Sequence, residues 1–291
     1  MSTDLVAGPT RPARLERERG NLSTLAKSWT FLVGVAIVGF WTVCAVFTNA
    51  IVRVEPADDN PYAKYARPGV GDYLLGTDRL GRDVFSRVVA GAREIMLIAP
   101  AATLLGTVVG VAFGLAMGYF RGWLDTVLSR VIEALISLPV ILVALLALTV
   151  LEPSRWSIVA VVGFLFFPLV ARTVRAAVLS ERDLDYVRAA ELRGERAGYV
   201  MFIEILPNVV GPIVVEFTIR LGYAIFTIAG LAFVGFGSQP GSPEWGRMIA
   251  EERAVLTANI WWPSVFPALA VASLVVGVNF ISDAVQGLYE R

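Results

Sequence analysis

A pair of opposite charges, Glu216 and Arg220, interrupts an apolar stretch in the C-terminal half of the chain. An acidic residue four positions before a basic one is the favourable order for an ion pair along one helix. If that helix crosses a membrane, both charges are costly unless they face a bundle interior or a water-filled cavity. The pair therefore predicts the lining of a translocation path or gate, or else a self-neutralising structural pair or a contact with a partner subunit.

Residue types that serve catalysis and metal binding are scarce. The chain has no His, which is the commonest general base and metal ligand, and its single cysteine, Cys44, excludes an intrachain disulfide. The patterns G-x-x-x-x-G-K-[ST], H-E-x-x-H and G-x-S-x-G do not occur. We therefore expect no catalytic residues, no metal site and no ATP site in this chain. The formal net charge of zero gives no indication of nucleic-acid binding.

Composition identifies the class of protein. Of the 291 residues, 56% are hydrophobic and 17% are charged, whereas soluble domains carry about 25% charged residues. A helix needs about 20 apolar residues to cross the hydrocarbon core of a membrane. The sequence therefore predicts an all-α integral membrane protein with six transmembrane helices. Their expected positions are residues 29–52, 95–118, 132–151, 156–171, 209–236 and 261–282.

The polar segments define the remaining organisation. Six spans place both termini on one side of the membrane. Lys and Arg are more numerous in the segments on that side, which favours a cytosolic location for both termini. The predicted parts are a cytosolic tail (1–28), an extracytoplasmic segment (53–94), a core (95–285) with a cytosolic loop (179–206) and an outer loop (237–260), and a short cytosolic tail (286–291).

Four glycines recur every fourth residue in the second predicted span: Gly106, Gly110, Gly114 and Gly118. This spacing makes one flat helix face on which another helix can approach closely. Two interpretations stay open. The face is a moving interface along a translocation path or between subunits, or it is a static packing surface.

The cytosolic loop carries many charges together with small residues. We expect a helix over residues 183–198, with Ser180 or Asp183 as its N-cap. The 3.6-residue period places Val187, Ala190, Glu191 and Gly194 on one face. Gly194 also permits a bend before a second helix that begins near Arg196. Such a loop is either a solvated connector or a docking surface for another protein.

Two short motifs in this loop resemble the EAA loop of ABC importer permeases. The residues Arg188-Ala189-Ala190-x-x-x-Gly194 are followed by Ile-Leu-Pro-Asn at 205–208. The family signature reads Glu-Ala-Ala-x-x-x-Gly and then a variant of Ile-x-Leu-Pro, so Arg188 replaces its leading Glu. The resemblance implies a coupling helix that contacts an ATPase subunit. The residues assigned to that contact are Tyr186, Arg188, Ala189, Ala190, Glu191, Arg193 and Gly194.

Two further segments resemble the C-type subunit of the dipeptide/oligopeptide/nickel permease family. Residues 75–87, LGTDRLGRDVFSR, are similar to its L-G-T-D-x-L-G-R-D-x-x-S-R segment, and residues 243–248, PEWGRM, to its P-E-W-G-x-M loop. Asn279 and Asp283 align with its N-x-x-G-D ending, in which Ser282 replaces the Gly. The residues that we assign to extracytoplasmic contacts in the first two motifs are Asp78, Arg82, Asp83, Glu244 and Trp245.

The resemblance covers residues 74–283 and implies an assembly. A type I ABC importer bundle would pair with a B-type permease subunit in a bacterial cytoplasmic membrane, in contact with its lipid. Two ABC ATPase subunits would hold ATP and Mg, and an extracytoplasmic binding protein would deliver the substrate. Peptides are the expected substrate class, with a nickel chelate, glutathione or another small solute as alternatives. The alternative function is a stand-alone homodimeric channel or secondary carrier.

Overall fold

The computed structural model describes residues 28–152, 154–236 and 241–289. Residues 1–27 of the predicted tail (1–28), Pro153, residues 237–240 of the predicted outer loop, and residues 290–291 lie outside this description. The described part is mainly helical, but residues 52–83 are largely irregular and contain two isolated β-bridges, Val70–Tyr73 and Thr77–Asp83. Its helices are α1 (Trp29–Val46), α2 (Thr48–Ile51), α3 (Val84–Phe120), α4 (Gly122–Ile136), α5 (Val140–Val150), α6 (Arg155–Arg182), α7 (Asp185–Leu192), α8 (Ala197–Tyr199), α9 (Val210–Val234), α10 (Trp245–Glu252) and α11 (Trp262–Tyr289).

Five helices of the described part are long and apolar enough to cross a membrane, namely α1, α3, α6, α9 and α11. The third predicted span, residues 132–151, is not one straight helix. Helices α4 and α5 bend by 88° at the break between them, and together they account for a sixth span only if the bent pair is one. Pro139 is the N-cap of α5. It has no backbone N–H, and its ring disfavours a helical conformation at Leu138, so the bend falls here.

Several helices run beyond the predicted spans. Helix α3 begins at Val84, so residues 84–94 of the predicted extracytoplasmic segment are helical. Asp83 caps this helix, because its Oδ2 accepts a hydrogen bond of 2.9 Å from the backbone N–H of Ser86. Helix α11 continues to Tyr289, so the predicted tail at 286–291 is helical as far as it is described. Hydropathy identifies only the part of a helix that is apolar enough to lie in lipid. The backbone hydrogen bonds of the same helix continue beyond that part into polar sequence.

The glycine face of α3 packs against α6 of the same chain. A Cβ atom added at Gly110 or Gly114 would lie 2.6 Å from the Cβ of Val170 or Val174, respectively. The same addition at Gly106 would meet the carbonyl oxygen of Gly163 at 2.8 Å. Such separations are too short for any side chain, so the glycines allow the two helix backbones to touch. All four glycines thus contact α6 of the same chain. Their assignment to a translocation path or a subunit interface stays a prediction.

Helix α1 lies at the side of the bundle on α11. A Cβ at Gly34 would lie 2.7 Å from the carbonyl oxygen of Gly277. Trp41 donates a hydrogen bond of 3.0 Å from Nε1 to Oγ of Ser273. Its ring also meets Trp245 edge-on, with centroids 4.8 Å apart. These contacts hold the first span against the last span and against α10.

Candidate functional site

The coupling-loop candidate is a short helix between the two long helices α6 and α9. Helix α7 begins at Asp185, and its N-cap is Leu184 rather than Ser180 or Asp183. Asp183 instead ends α6, where its Oδ2 accepts a hydrogen bond of 2.7 Å from Arg121 at the end of α3. That bond lowers the pKa of the exposed Asp183 carboxyl. Because the carboxylate is engaged by Arg121, the new helix starts later than the capping rule predicts.

One face of α7 is buried in the permease itself. Val187 and Ala190 are fully buried, and they belong to an apolar cluster with Val174 and Val178 of α6 and Leu115 of α3. Ala190 therefore supports the helix from inside and is not open to a partner. The period correctly places Val187 and Ala190 together, but Glu191 and Gly194 are exposed.

The opposite face of α7 is open. Its exposed residues include Leu192, whose side chain is 89% exposed, and the small residue Ala189. The charged residues Arg188, Glu191 and Arg193 surround them. This face thus combines one large apolar side chain with small and charged ones. Leu192 was not singled out from the sequence, because the motif carries no specified residue at its position.

Gly194 forms the backbone turn that ends α7. Its φ of +77° lies in the left-handed region, and no atom lies within 4 Å of a Cβ added there. The N–H of Glu195 donates to the carbonyl of Ala190 at 3.2 Å, and that of Gly194 to Glu191 at 2.9 Å. This pair of bonds is a Schellman motif, in which glycine is favoured because the conformation is strained for other residues. The expected second helix follows as α8, with Arg196 as its N-cap.

Polar contacts brace the loop from within. The hydroxyl of Tyr186 donates to Oε2 of Glu181 at 2.7 Å, so the motif tyrosine is tied to the end of α6. Burial, and then this hydrogen bond to a carboxylate, raise the pKa of Tyr186. Arg193 donates to Oε1 of Glu204 at 3.1 Å. These contacts connect α7 to the end of α6 and to the segment that precedes α9.

The charge pair within α9 connects two membrane helices. Arg220 donates from Nε to Oε1 of Glu216 at 2.6 Å, and Glu216 is only 7% exposed. Thr173 of α6 donates to the other carboxylate oxygen at 3.3 Å. The guanidinium of Arg220 lies 5.3 Å from the ring centroid of Tyr223. Each charge therefore has partners within the chain, as the structural interpretation of the pair expects.

The motif residues that the sequence assigned to extracytoplasmic contacts are buried and contact one another. Asp78 accepts hydrogen bonds at Oδ1 from the N–H of Leu80 (2.8 Å) and Arg82 (3.0 Å), and at Oδ2 from Nε of Arg82 (2.7 Å). Arg82 also donates to Glu251 of α10 at 3.3 Å. Asp83 caps α3, as described above. In the isolated chain these three motif residues thus connect the segment before α3 (residues 53–83) to α3 and α10.

The second motif joins the same structure. Trp245 is buried and donates from Nε1 to the carbonyl of Val88 at 2.8 Å. Glu244 is buried as well. A Cβ added at Gly91 would lie 2.4 Å from the carbonyl oxygen of Pro243, so α3 and this loop touch backbone to backbone. Both motifs therefore lie in one packed layer, formed by residues 53–83, the start of α3 and residues 241–252, which we call the outer cap after its predicted location. Their assignment to extracytoplasmic contacts stays a prediction.

Other residues in this cap were missed by sequence reasoning. Arg87 donates to the carbonyls of Gly241 (3.1 Å) and Ser242 (3.0 Å), and Glu252 accepts at 3.3 Å from the N–H of Arg79. Burial raises the pKa of Glu252. Arg87 lies within the resembling motif and could have been included. Glu252 carries no local signal, because its partner is 173 residues away in the chain.

No group of three or more His, Cys, Asp and Glu residues suited to a metal ion occurs among residues 28–152, 154–236 and 241–289. The described residues form a packed helical bundle in which α7 has one buried face and one open face. The buried polar side chains described above form ion pairs and helix caps.

Comparison with known proteins places this bundle among transport proteins. Residues 110–291 match the model of the family described as "Binding-protein-dependent transport system inner membrane component". The "Dipeptide transport system permease protein DppC" of Escherichia coli K12 is 38% identical over 260 residues, which cover 88% of this chain and 86% of the relative. The protein of that name from Alkalihalophilus pseudofirmus is 32% identical over 262 residues, covering 90% and 86%.

A third relative is the "Di/tripeptide transport system permease protein DppC" of Pseudomonas aeruginosa, which is 32% identical over 248 residues, covering 84% of this chain and 82% of the relative. These matches confirm the resemblance to the dipeptide/oligopeptide/nickel permeases. The chain is a multi-pass membrane protein, and it belongs to the family of binding-protein-dependent transport system inner membrane components.

Proposed function

We propose that this chain is the C-type permease subunit of an ATP-driven importer of dipeptides or short oligopeptides in a bacterial cytoplasmic membrane. It forms half of the translocation pathway with a B-type permease subunit. Two separate ATPase subunits bind ATP and Mg, and an extracytoplasmic binding protein delivers the substrate. The names of the relatives support the substrate class, and the two-faced helix α7 supports the coupling to an ATPase.

The inner face of α7 is suited to transmit force. Val187 and Ala190 pack with Val174 and Val178 near the end of α6. Helix α6 in turn touches α3 along the glycine face, so a displacement of α7 acts on two long helices at once. Tightly packed interfaces move as rigid units instead of deforming gradually. To invert a two-state population from 1:99 to 99:1, ATP binding must favour one state by about 5.5 kcal/mol.

The outer face of α7 is suited to dock. Leu192 supplies an apolar anchor, and Ala189 and the bend at Gly194 leave room around it. Arg188 stands where the related loops carry Glu and has a positive charge. We therefore expect the facing groove of the ATPase to offer a carboxylate to Arg188. In this arrangement the loop and both termini lie on the cytosolic side.

Substitutions on the two faces separate docking from transmission in the reconstituted complex. Leu192→Asp is expected to prevent co-purification of the ATPase subunits. Val187→Ala, a buried change, is expected to keep the complex together while ATP hydrolysis no longer depends on the loaded binding protein. Val70→Asp is the control, because Val70 is an exposed apolar residue outside the loop. If Leu192→Asp leaves both assembly and uptake unchanged, α7 does not dock.

The alternative is a stand-alone homodimeric channel or secondary carrier. Affinity purification from native membranes distinguishes the two, because an importer subunit brings ATPase subunits with it. Uptake that persists after ATP depletion with ion gradients intact contradicts the importer. The substrate is identified from the ligand bound to the partner binding protein, and a nickel chelate or glutathione found there would overturn the peptide assignment.

A further inference from the structure

An open polar cleft of about 570 Å³ lies at the end of the bundle remote from α7. The charged residues of its lining are Arg53, Glu55, Arg93, Glu94 and Arg155. Helix α6 runs from Arg155 to Arg182, and α7 packs on its far end. The cleft is therefore about 40 Å from the coupling loop, at 1.5 Å per helical residue.

The three arginines come from three separate helical segments that end or begin at one level. Arg53 follows α1 and α2, Arg93 precedes the long apolar part of α3, and Arg155 is the first residue of α6. In each segment the adjoining helix is apolar enough to cross a membrane. Arg residues at the ends of transmembrane helices lie in the headgroup region of the bilayer. This level is therefore the boundary between hydrocarbon and water.

Exposed apolar side chains lie next to the cleft on the membrane side. Leu97 is exposed and follows Arg93 by four residues, so both lie on one face of α3. Trp156 is 72% exposed and directly follows Arg155. Tryptophan is enriched at membrane interfaces because its ring is amphipathic. A ligand of the cleft thus meets guanidinium groups at one end and an apolar surface at the other.

Two of the arginines are available to a ligand. Arg155 already forms an ion pair with Glu94. Within the described part of the chain, Arg53 and Arg93 have neither a hydrogen-bond nor an ion-pair partner, and both are exposed. The lining contains three Arg and two Glu, so its formal net charge is +1. Guanidinium groups bind phosphate oxygens in bidentate geometry. Arg53 and Arg93 are therefore suited to bind a phosphate group.

We propose that the cleft binds the phosphate group of an anionic glycerophospholipid from the adjoining leaflet. Arg53 and Arg93 hold the phosphate, and the acyl chains lie along Leu97 and Trp156. A free phosphate ion would bind the same guanidinium groups, but it has no apolar part that could pack on the surface beside them. The bound lipid joins the end of the first span to α3 and α6, which reinforces the peripheral packing of α1. This site does not depend on the proposed transport function.

Native mass spectrometry of the purified full chain tests the proposal, with phosphatidylglycerol and phosphatidylethanolamine as probes at equal concentration. We expect the wild type to retain phosphatidylglycerol more strongly. Because a charge-assisted hydrogen bond contributes about 1.5–3 kcal/mol, Arg53→Gln and Arg93→Gln should each weaken this binding about tenfold or more. Arg67→Gln is the matched control, since Arg67 is an exposed arginine of the same outer segment outside the cleft.

Three results would overturn the proposal. The wild type retains both lipids equally, or the Arg53→Gln/Arg93→Gln double variant retains phosphatidylglycerol as well as the wild type does. Alternatively, inorganic phosphate displaces the lipid at comparable concentration, which would assign the cleft to a free anion. The thermal midpoint of each variant shows whether it is folded. If the double variant is not, Arg93→Lys keeps the charge, loses the bidentate geometry and is expected to bind more weakly than the wild type.

Discussion

Thr173 of α6 and Glu216 of α9 meet between two membrane helices, with the threonine Oγ1 3.3 Å from Oε2 of the glutamate. The other carboxylate oxygen accepts the hydrogen bond of Arg220 at 2.6 Å. Glu216 is thus satisfied on both oxygens by partners from two helices. The contact makes the charged pair part of the packing between α6 and α9, and the consequences of removing either partner can be measured.

Arg220→Gln is expected to destabilise the protein strongly. It leaves the buried carboxylate of Glu216 without its cation, and breaking such a pair costs about 3–5 kcal/mol. The double variant Glu216→Gln/Arg220→Gln removes both charges and should recover much of that loss. Unfolding midpoints in detergent measure the difference. Equal stability of the single and double variants would show that the two charges are not coupled.

Gly114→Ala is expected to push α3 away from α6. The new Cβ would lie 2.6 Å from the Cβ of Val174, and overpacking of this kind costs about 1–3 kcal/mol. Gly39→Ala in α1 is the control, because no atom lies within 4 Å of a Cβ at that position. Thermal unfolding should show a lower midpoint for Gly114→Ala only. A similar midpoint for both variants would contradict the close helix contact.

Asp78→Asn is expected to loosen the outer cap. Asn keeps the shape of Asp78, but it removes the negative charge that lies 2.7 Å from Arg82 and 3.7 Å from Arg87. The cost should fall at the lower end of the about 3–5 kcal/mol typical of a broken buried pair, because Arg82 still reaches Glu251. Limited proteolysis of the segment before α3 reports the change. Asp72→Asn, at an exposed aspartate of the same segment, should leave the cleavage rate unaltered.

The stability contributed by Glu252 should depend on pH. Burial raises the pKa of this carboxyl in the folded protein above its ordinary value of 4.5. The folded state therefore binds the proton more tightly than the unfolded state, and the contribution is full below pH 4.5 and is lost as pH rises through the raised pKa. Glu252→Gln does not titrate, so its stability relative to the wild type should increase between pH 4 and pH 7.

Unfolding midpoints of the wild type and Glu252→Gln across that pH range provide the measurement. Glu251 has the opposite shift, because its interactions with Arg247 and other arginines outweigh its burial and lower its pKa. Its contribution is lost at low pH in both proteins and cancels in the comparison. A difference between the two proteins that stays constant from pH 4 to pH 7 would contradict the raised pKa of Glu252.

Local patterns in the sequence predict a good deal of this protein. Apolar runs locate α1, α3, α6, α9 and α11, because solvation by lipid depends on each residue's own side chain. The motifs at 75–87 and 188–208 indicate the family for a similar reason, since they are contiguous in the chain. The period of α7 correctly pairs Val187 with Ala190, and Gly194 correctly marks its end.

The tertiary structure decides which surface each of these residues meets. It turns Ala190 inward and leaves Leu192 outside, places the glycine face on α6, and buries Asp78, Arg82 and Trp245 inside the outer cap. It also assembles Arg53, Arg93 and Arg155 around one cleft, although they are spread over about a hundred residues of sequence. Periodicity specifies which residues share a helix face. The partner of that face is set by packing between helices distant in the chain, which no local pattern encodes.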